Sequence, residues 1–395
     1  MALRICYVTY WGLSEGLTQA TVLPHLRILS RMKEVDQIDF FSIERNRVLK
    51  QQYTLDKLHH HPFYSSHGLK SKLTDNYKFK RFVKSVYDNR LPDLIMARSS
   101  MAGWMIQSLA FKSNIPLCVE SYEPHAAYML EEKIWKKSSM KYKMLDRAER
   151  AQKLKAKFIL PITQTYKNYL QQNEGVHDSR MMHMPCCVDF ENFKYDHLDR
   201  EKLRDYLSLK DEKLVGIYTG KYGGIYLKEE AIELFLTAKS FYKKRFFLII
   251  LSPQKEEWSA RLQEAGFEMS EFFIGFVSQS EVPQYLSASD YAFSLHRPTP
   301  SKMAISPIKN AEFWANGLPI IMPDRIGDDS KQTKMSRLGV VVDDFSELSE
   351  SVFESLEPLL EEDRLENDRV RFAKEHRGFD IVEKCYTKIL ASIST

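Results

Sequence analysis

Apolar positions along the chain fall into two successive alternating series. Short runs that are apolar at nearly every position read as buried strands near residues 4–9, 37–42, 93–97, 117–120 and 158–161. Longer stretches with apolar residues at helical spacing separate them. This alternation predicts a parallel α/β sheet, in which crossover helices cover both faces. The pattern breaks across Met184-Pro185-Cys186-Cys187-Val188-Asp189-Phe190, after which residues 201–208 show helical spacing. A second series then follows, with strands near residues 214–219, 246–251, 272–276, 291–294, 318–322 and 340–342. The expected architecture is therefore α/β, with two Rossmann-like domains, residues 1–188 and 189–376, facing each other across a cleft. Residues 377–395 contain an amphipathic stretch expected to form a helix that packs back on the N-terminal domain. Ligands of such sheets lie beyond the carboxyl ends of the strands, so the chemistry is expected in strand-to-helix loops.

Composition agrees with two packed cores. The chain has 395 residues, 44% hydrophobic and 28% charged, which is too apolar for a disordered segment and long enough for two domains. Its longest apolar run, residues 246–251, is about a third of the ~20 residues a membrane-spanning helix needs. The N-terminus opens directly into a strand pattern with no signal-peptide features, so a cytoplasmic protein is expected, with peripheral contact at the inner membrane face as an option. Cys6, Cys118, Cys186, Cys187 and Cys385 form an odd set without metal-ligand spacing and read as reduced thiols. The net charge of +4 identifies no partner, although the basic excess lies in the N-terminal half.

The most informative segment is residues 306–321. Ser306 followed by Pro307 predicts a helix start, with the serine hydroxyl capping an amide and proline in the first turn, and Gly317 predicts its end. The amides of Ile308 and Lys309, the positive end of the helix dipole and the Lys309 charge together form an anion site suited to phosphate. Glu312, one turn deeper, could accept two ribose hydroxyls of a nucleoside whose phosphates rest on the helix start. The competing reading is a capped core helix with a surface glutamate. After the 214–219 strand, Gly220-Lys221-Tyr222-Gly223-Gly224 lets backbone approach a ligand while Lys221 neutralises a leaving phosphate; a plain turn is the alternative. The segment has neither the Walker ending nor the dinucleotide fingerprint, which argues against nucleotide hydrolysis and hydride transfer.

In the N-terminal half, Tyr10 to Gln19 contains Gly12 and Gly16 and reads as a flexible loop over substrate. Glu123 and His125 follow a buried strand, where imidazole and carboxylate could serve acid–base chemistry or a purely structural role. His59-His60-His61 reads as a solvated helix end and lacks metal-ligand spacing, so no metal is expected. A helical stretch over residues 133–157 is rich in lysine and arginine, and residues 70–90 are basic with Tyr77, Phe79 and Phe82 interleaved. Such a face suits an anionic membrane, at about 1 kcal/mol per basic residue, or is simply solvated. Nucleic acid is not expected, because no recognised fold motif accompanies the charge.

Together and in this order, these loops resemble the family-4 (group 1) retaining glycosyltransferases of the GT-B fold. The resemblance rests on Val8-Thr9-Tyr10-Trp11-Gly12 with Gly16, on Gly220-Lys221, on Gly275-Phe276-Val277 followed by Tyr285-Leu286-Ser287-Ala288-Ser289-Asp290, and above all on residues 306–321. It implies a nucleoside diphosphate sugar donor, a glycan or lipid-linked acceptor, retention at the anomeric carbon, and no metal or other cofactor. Polysaccharide or glycolipid synthesis is the implied setting. By that resemblance His125 and Lys221 are catalytic, while Gly16, Gly220, Phe276, Ser306, Ile308, Lys309 and Glu312 join Lys221 in holding the donor. The family's Glu-x7-Glu pattern is incomplete, since Ala304 stands where the first glutamate belongs. Glycines occupy the place of a second family lysine, for which Arg297, Lys302 or Lys309 are substitutes, and Glu123 is a further acceptor-side candidate. The residues alone also admit epimerisation or phosphorolysis of a sugar, or a nonenzymatic protein that binds nucleic acid or membrane.

Overall fold

A computed structural model describes residues 2–45, 53–65, 69–87 and 90–394. The chain forms two compact units, Met1–Cys186 with Asp380–Thr395, and Cys187–Phe379. The expected divisions after 188 and 376 shift because both flanks belong to the second core: Val188 and Phe193 are buried there, and the Val188 amide donates to the Arg377 carbonyl at 2.9 Å.

In the first unit, strands β1 (Leu3–Thr9), β2 (Val35–Glu44), β3 (Leu58–Tyr64), β4 (Leu94–Arg98), β5 (Leu117–Tyr122) and β6 (Phe158–Pro161) form one parallel sheet in the order β3-β2-β1-β4-β5-β6. Its helices are α1 (Gly16–Thr21), α2 (Leu23–Arg31), α3 (Leu69–Val86), α4 (Ser100–Lys112), α5 (His125–Glu131), α6 (Met140–Lys155) and α7 (Gln164–Glu174). Strands β1, β4 and β6 are buried on both faces, as their continuous apolar runs require.

The three consecutive histidines depart from expectation. They lie in edge strand β3, not at a helix end. Strand alternation sends His60 and His61 to opposite faces, where His60 stacks on Phe40 at 5.1 Å and His61 on Phe41 at 4.9 Å. His60 Nε2 lies 2.8 Å from Ser42 Oγ, and His61 Nε2 lies 3.0 Å from Asp39 Oδ1. Burial raises the Asp39 pKa, but hydrogen bonds from His61, Gln37 and Arg4 outweigh it and hold this carboxyl below its usual range. Pro62 is tolerated in β3 because an edge strand can spare a ladder donor.

The second unit repeats the plan. Strands β7 (Leu214–Thr219), β8 (Phe246–Leu251), β9 (Phe272–Gly275), β10 (Tyr291–Phe293), β11 (Ile320–Pro323) and β12 (Gly339–Val342) are parallel, in the order β12-β11-β10-β7-β8-β9. Helices α8 (His197–Tyr206), α9 (Glu229–Tyr242), α10 (Lys255–Glu264), α11 (Val282–Ala288), α12 (Ile308–Ala315), α13 (Asp329–Met335), α14 (Ser351–Leu360) and α15 (Asp368–His376) flank this sheet. Two buried clusters cover its faces, one around Trp258 and Phe235 and the other around Trp314 and Phe313. Both sheets thus carry the 3-2-1-4-5-6 order, with the winding reversing between β1 and β4 in one and between β7 and β10 in the other. Crevices that admit ligands open at such reversals.

Helix α16 (Phe379–Ser394) belongs from Asp380 onward to the first unit. Its Tyr386 hydroxyl lies 2.7 Å from Nδ1 of the buried His25 in α2. Below it sits a buried charge cluster, in which Arg98 donates to Glu120 at 3.3 Å and Tyr7 donates to the same Oε2 at 2.7 Å. Among the described residues, no helix is long and apolar enough to cross a membrane.

Removing one member of a buried ion pair leaves the other charge without compensation. Arg98→Met is therefore expected to destabilise the protein by about 3–5 kcal/mol in denaturant melts, whereas the Arg98→Met/Glu120→Gln double variant should lose clearly less. Equal losses would show that the cost does not come from the stranded Glu120 carboxylate.

Candidate functional site

The switch point of the second sheet gathers most of the residues singled out in that half. Helix α12 begins at Ile308, and its first turn presents amides that have no partner within the helix. The start falls one residue later than expected, since Pro307 and not Ser306 is the N-cap residue, in extended conformation. The start is fixed from below. Arg377 donates to the Pro307 carbonyl at 3.1 Å and to Asp329 Oδ1 at 2.7 Å, while Asn310 donates to Asp329 Oδ2 at 2.8 Å, all buried.

Lys309 reaches from this first turn to the carboxyl end of β7. Its ammonium donates to the Thr219 carbonyl at 2.5 Å and lies 4.2 Å from the centre of the Tyr226 ring and 5.6 Å from that of Tyr218. Gly220 permits this approach, since a Cβ there would stand 3.2 Å from Lys309 Nζ and 2.8 Å from Tyr218 Oη. His296 follows β10 and is fully buried. Burial lowers its pKa well below the ordinary value and the charges of Lys309 and Lys302 push the same way, so the imidazole is neutral. A helix N-terminus, an ammonium and the ends of β7 and β10 thus converge on one place.

Glu312 lies one turn deeper and is only 7% exposed. Its Oε1 accepts a hydrogen bond from Gln279 Nε2 at 3.0 Å. Burial raises its pKa to about 7, although the Gln279 hydrogen bond and the Lys309 charge pull downward. It is not the surface glutamate of the competing reading. A desolvated carboxylate with one donor satisfied keeps acceptor capacity for hydroxyl groups.

The remaining second-unit candidates occupy different situations. Lys221 is exposed beside Gly220, and its carbonyl accepts from the Tyr218 hydroxyl at 2.8 Å. Arg297 donates to the Tyr226 carbonyl at 3.4 Å, and its amide pairs with the Ile225 carbonyl, closing the glycine loop onto the strand end. Lys302 is completely buried in the turn Pro300–Ala304, which also buries Ala304. Phe276 is 79% exposed just after β9, and Ile308 is half-buried.

In the first unit, His125 opens α5 with Nδ1 3.0 Å from Glu123 Oε1. Burial opposes the imidazolium, but the Glu123 hydrogen bond and the charges of Glu123 and Glu149 outweigh it, so the His125 pKa is raised. Burial raises the Glu149 pKa to about 7, even though this carboxylate accepts from Ser100 Oγ at 2.9 Å and from the Ala126 amide at 3.2 Å. Gly16 starts α1. The loop before it is tied down: the Leu13 amide donates to Glu44 Oε1 at 2.8 Å, and Gln19 Nε2 donates to the Leu13 carbonyl at 2.7 Å. In the basic 70–90 stretch, residues 88–89 and the side chains of residues 70–73 lie outside the described residues, and Phe79 is buried in the core.

Sequence reasoning missed Gln279, Tyr226, His296 and the Asp329–Arg377 pair. None belongs to a local motif. Only their positions just after strands, or just before a residue that folds back, could have drawn attention to them.

No protein-family model matches this chain, and no curated protein matches it. Its backbone is nevertheless similar to many solved structures. Sucrose-phosphate synthase from Thermosynechococcus elongatus superposes with a TM-score of 0.74 at 14% identity, over 99% of this chain and 100% of that one. The chain has the GT-B fold. WaaG, a glycosyltransferase involved in lipopolysaccharide biosynthesis, gives a TM-score of 0.71 at 14% identity, covering 97% of this chain and 98% of that one. HepE of Anabaena, in a complex with UDP-glucose, gives 0.70 at 14% identity, over 99% of this chain and 100% of that one.

Glu312 supplies a pH test. Its pKa of about 7 lies above the ordinary 4.5 of an unfolded glutamate, so ionising it opposes folding. The penalty is absent below about pH 4.5, grows as the pH rises and is complete above about pH 7, where it is on the order of 3 kcal/mol. Glu312→Gln is therefore expected to gain stability relative to wild type at pH 8 but not at pH 4.5, as read by denaturant melts. A difference that does not change with pH would contradict this assignment.

Proposed function

We propose that this chain is a retaining glycosyltransferase that moves a sugar from a nucleoside diphosphate donor to a glycan or lipid-linked acceptor. The observation that carries the reading is the pairing on α12: an anion-favouring first turn with Lys309 drawn to the end of β7, and the buried Glu312 one turn below. The spacing matches the two ends of a nucleoside diphosphate, with pyrophosphate at the helix start and ribose hydroxyls on the carboxylate. HepE in complex with UDP-glucose and starch synthase IV of Arabidopsis thaliana bound to ADP share the fold, which supports a nucleotide donor.

Breaking the anomeric carbon–oxygen bond builds positive charge on the sugar and negative charge on the departing diphosphate. Lys309, Lys221 and the amides of Ile308 and Lys309 stabilise the diphosphate through groups already in place, while Gly220 keeps the approach open. Lys309 occupies the neighbourhood in which the family resemblance calls for a second lysine. These fixed positive charges do the work a divalent metal would otherwise do, so metal independence belongs to the proposal. His125, whose Nδ1 lies 3.0 Å from Glu123 Oε1, is the residue assigned to the sugar by the family resemblance. Retention requires the acceptor hydroxyl to attack from the face the diphosphate leaves, with its proton passing to the departing phosphate oxygen. The basic surface of α6 lets the acceptor-binding unit rest on an anionic leaflet, which would place the enzyme in glycolipid or surface polysaccharide synthesis.

Incubation with uridine, guanosine and adenosine diphosphate sugars should release free nucleotide from at least one donor, with the anomeric configuration kept in the product and no loss of rate in a chelator. Lys309→Ala is expected to lower kcat by roughly 100–1000-fold, as for loss of one preorganised contact to developing charge. Glu312→Ala should act mainly on the donor KM, by roughly 10–100-fold, since hydrogen bonds to a charged group are worth about 1.5–3 kcal/mol. Lys221→Ala should also impair donor use. Wild-type turnover in both Lys221→Ala and Glu312→Ala would reject the site, and an epimerised or phosphorolysed product would reject the reaction.

A further inference from the structure

The first unit contains a cavity of about 350 Å³ at the switch point of its own sheet. Tyr10, which follows β1, and Met101 and Trp104, on the helix after β4, line one side, while Trp135 and Met144 line the other. This volume falls within the range of small-molecule sites and exceeds ten times the ~30 Å³ of a water molecule, which is too large for a packing defect. A single hydrocarbon chain fits these limits. Methionine suits such a guest, because its unbranched thioether adapts to a slender, mobile ligand.

Charge at the mouth settles the rest of the ligand. Arg45 and Lys141 line the cavity together with Asp75 and Asn76. The latter two are engaged within the fold: Asp75 accepts from Ser65 Oγ, and Asn76 Nδ2 donates to the Trp104 carbonyl at 3.1 Å. Arg45 is held over the Tyr10 ring at 5.3 Å and donates to Ser65 at 3.1 Å, which fixes its guanidinium at the wall. Lys141 is exposed on the first turn of α6, with the exposed Lys136, Lys137 and Lys143 nearby in the chain. Met140 and Met144 flank it, 66% and 43% exposed, as apolar rim residues beside a cationic one.

We propose that this cavity binds the hydrocarbon chain of a single amphiphile whose anionic head group is held at the rim by Lys141 and Arg45. The proposal rests on the reading of the first unit as the acceptor-binding one, and it narrows the acceptor to a molecule carrying an apolar chain and a phosphate or similar anion. Trp135 connects the cavity to that reading, since its ring lies 6.2 Å from the His125 ring, edge to face.

The test uses the full-length protein with monomeric alkyl phosphates of six, eight and ten carbons below their micelle concentrations, followed by calorimetry or tryptophan fluorescence. Affinity is expected to rise about fourfold per methylene until the cavity is filled. Inorganic phosphate should not bind at this site, and decanol should bind more weakly than decyl phosphate. Met144→Glu, at a rim position already exposed, should weaken decyl phosphate at least tenfold, with Met144→Leu close to wild type. Lys141→Glu should weaken decyl phosphate and leave decanol unchanged. Absence of decyl phosphate binding, no dependence on chain length, or equal binding by Met144→Glu would each overturn the proposal. Nucleoside diphosphate binding is measured on the same preparation. Its absence, with alkyl phosphate still bound, would count against glycosyl transfer and leave the cavity assignment standing.

Discussion

Everything proposed for the second unit depends on keeping a carboxylate dry next to a site for anions. A buried glutamate costs stability when it ionises, and the fold does not relieve that cost internally: Gln279 gives Glu312 one hydrogen bond, and the nearby ammonium of Lys309 is itself tied to the Thr219 carbonyl. A group held in this half-satisfied state is worth more to a ligand than to the protein alone. Hydroxyl donors from a bound ribose would complete its hydrogen bonds and favour its ionised form, returning in binding what was lost in folding.

Buried contacts also anchor α12. The buried Arg377, Asp329 and Asn310 cluster fixes the turn, through the Pro307 carbonyl and the Asn310 side chain. At the far end, Gly317 lets α12 stop where a Cβ would collide with the Arg364 carbonyl. Both units place their candidate ligand features at the point where the strand order reverses, which is where the backbone alone opens a crevice.

Most of the fold was legible because parallel strands buried on both faces leave continuous apolar runs: β6, β7 and β8 have the expected bounds, and the others differ by a few residues at their ends. Strand β3 was not legible, since an edge strand whose histidines find partners on β2 looks polar in isolation. The positions of Lys309 and Glu312 could be inferred from helix spacing, because a helix fixes i, i+3 relations. What Lys309 touches could not, since Thr219 is ninety residues away in sequence. The helix start was expected one residue early because a serine–proline pair is a local signal, whereas the Arg377 contact to the Pro307 carbonyl is long-range. The cavity beside Trp104 and Trp135 was equally hidden: its walls come from five separate stretches of chain.

The most direct measurement is the proton released when a nucleoside diphosphate binds near pH 6, obtained by calorimetry in buffers of different ionisation enthalpy. Glu312, half-titrated at about pH 7 in the free protein, should be driven to its carboxylate by ribose hydroxyls. The account predicts that the nucleotide releases more protons, and binds more tightly, than its 2′,3′-dideoxy analogue with the same phosphates. Equal proton release and equal affinity for the two would contradict it.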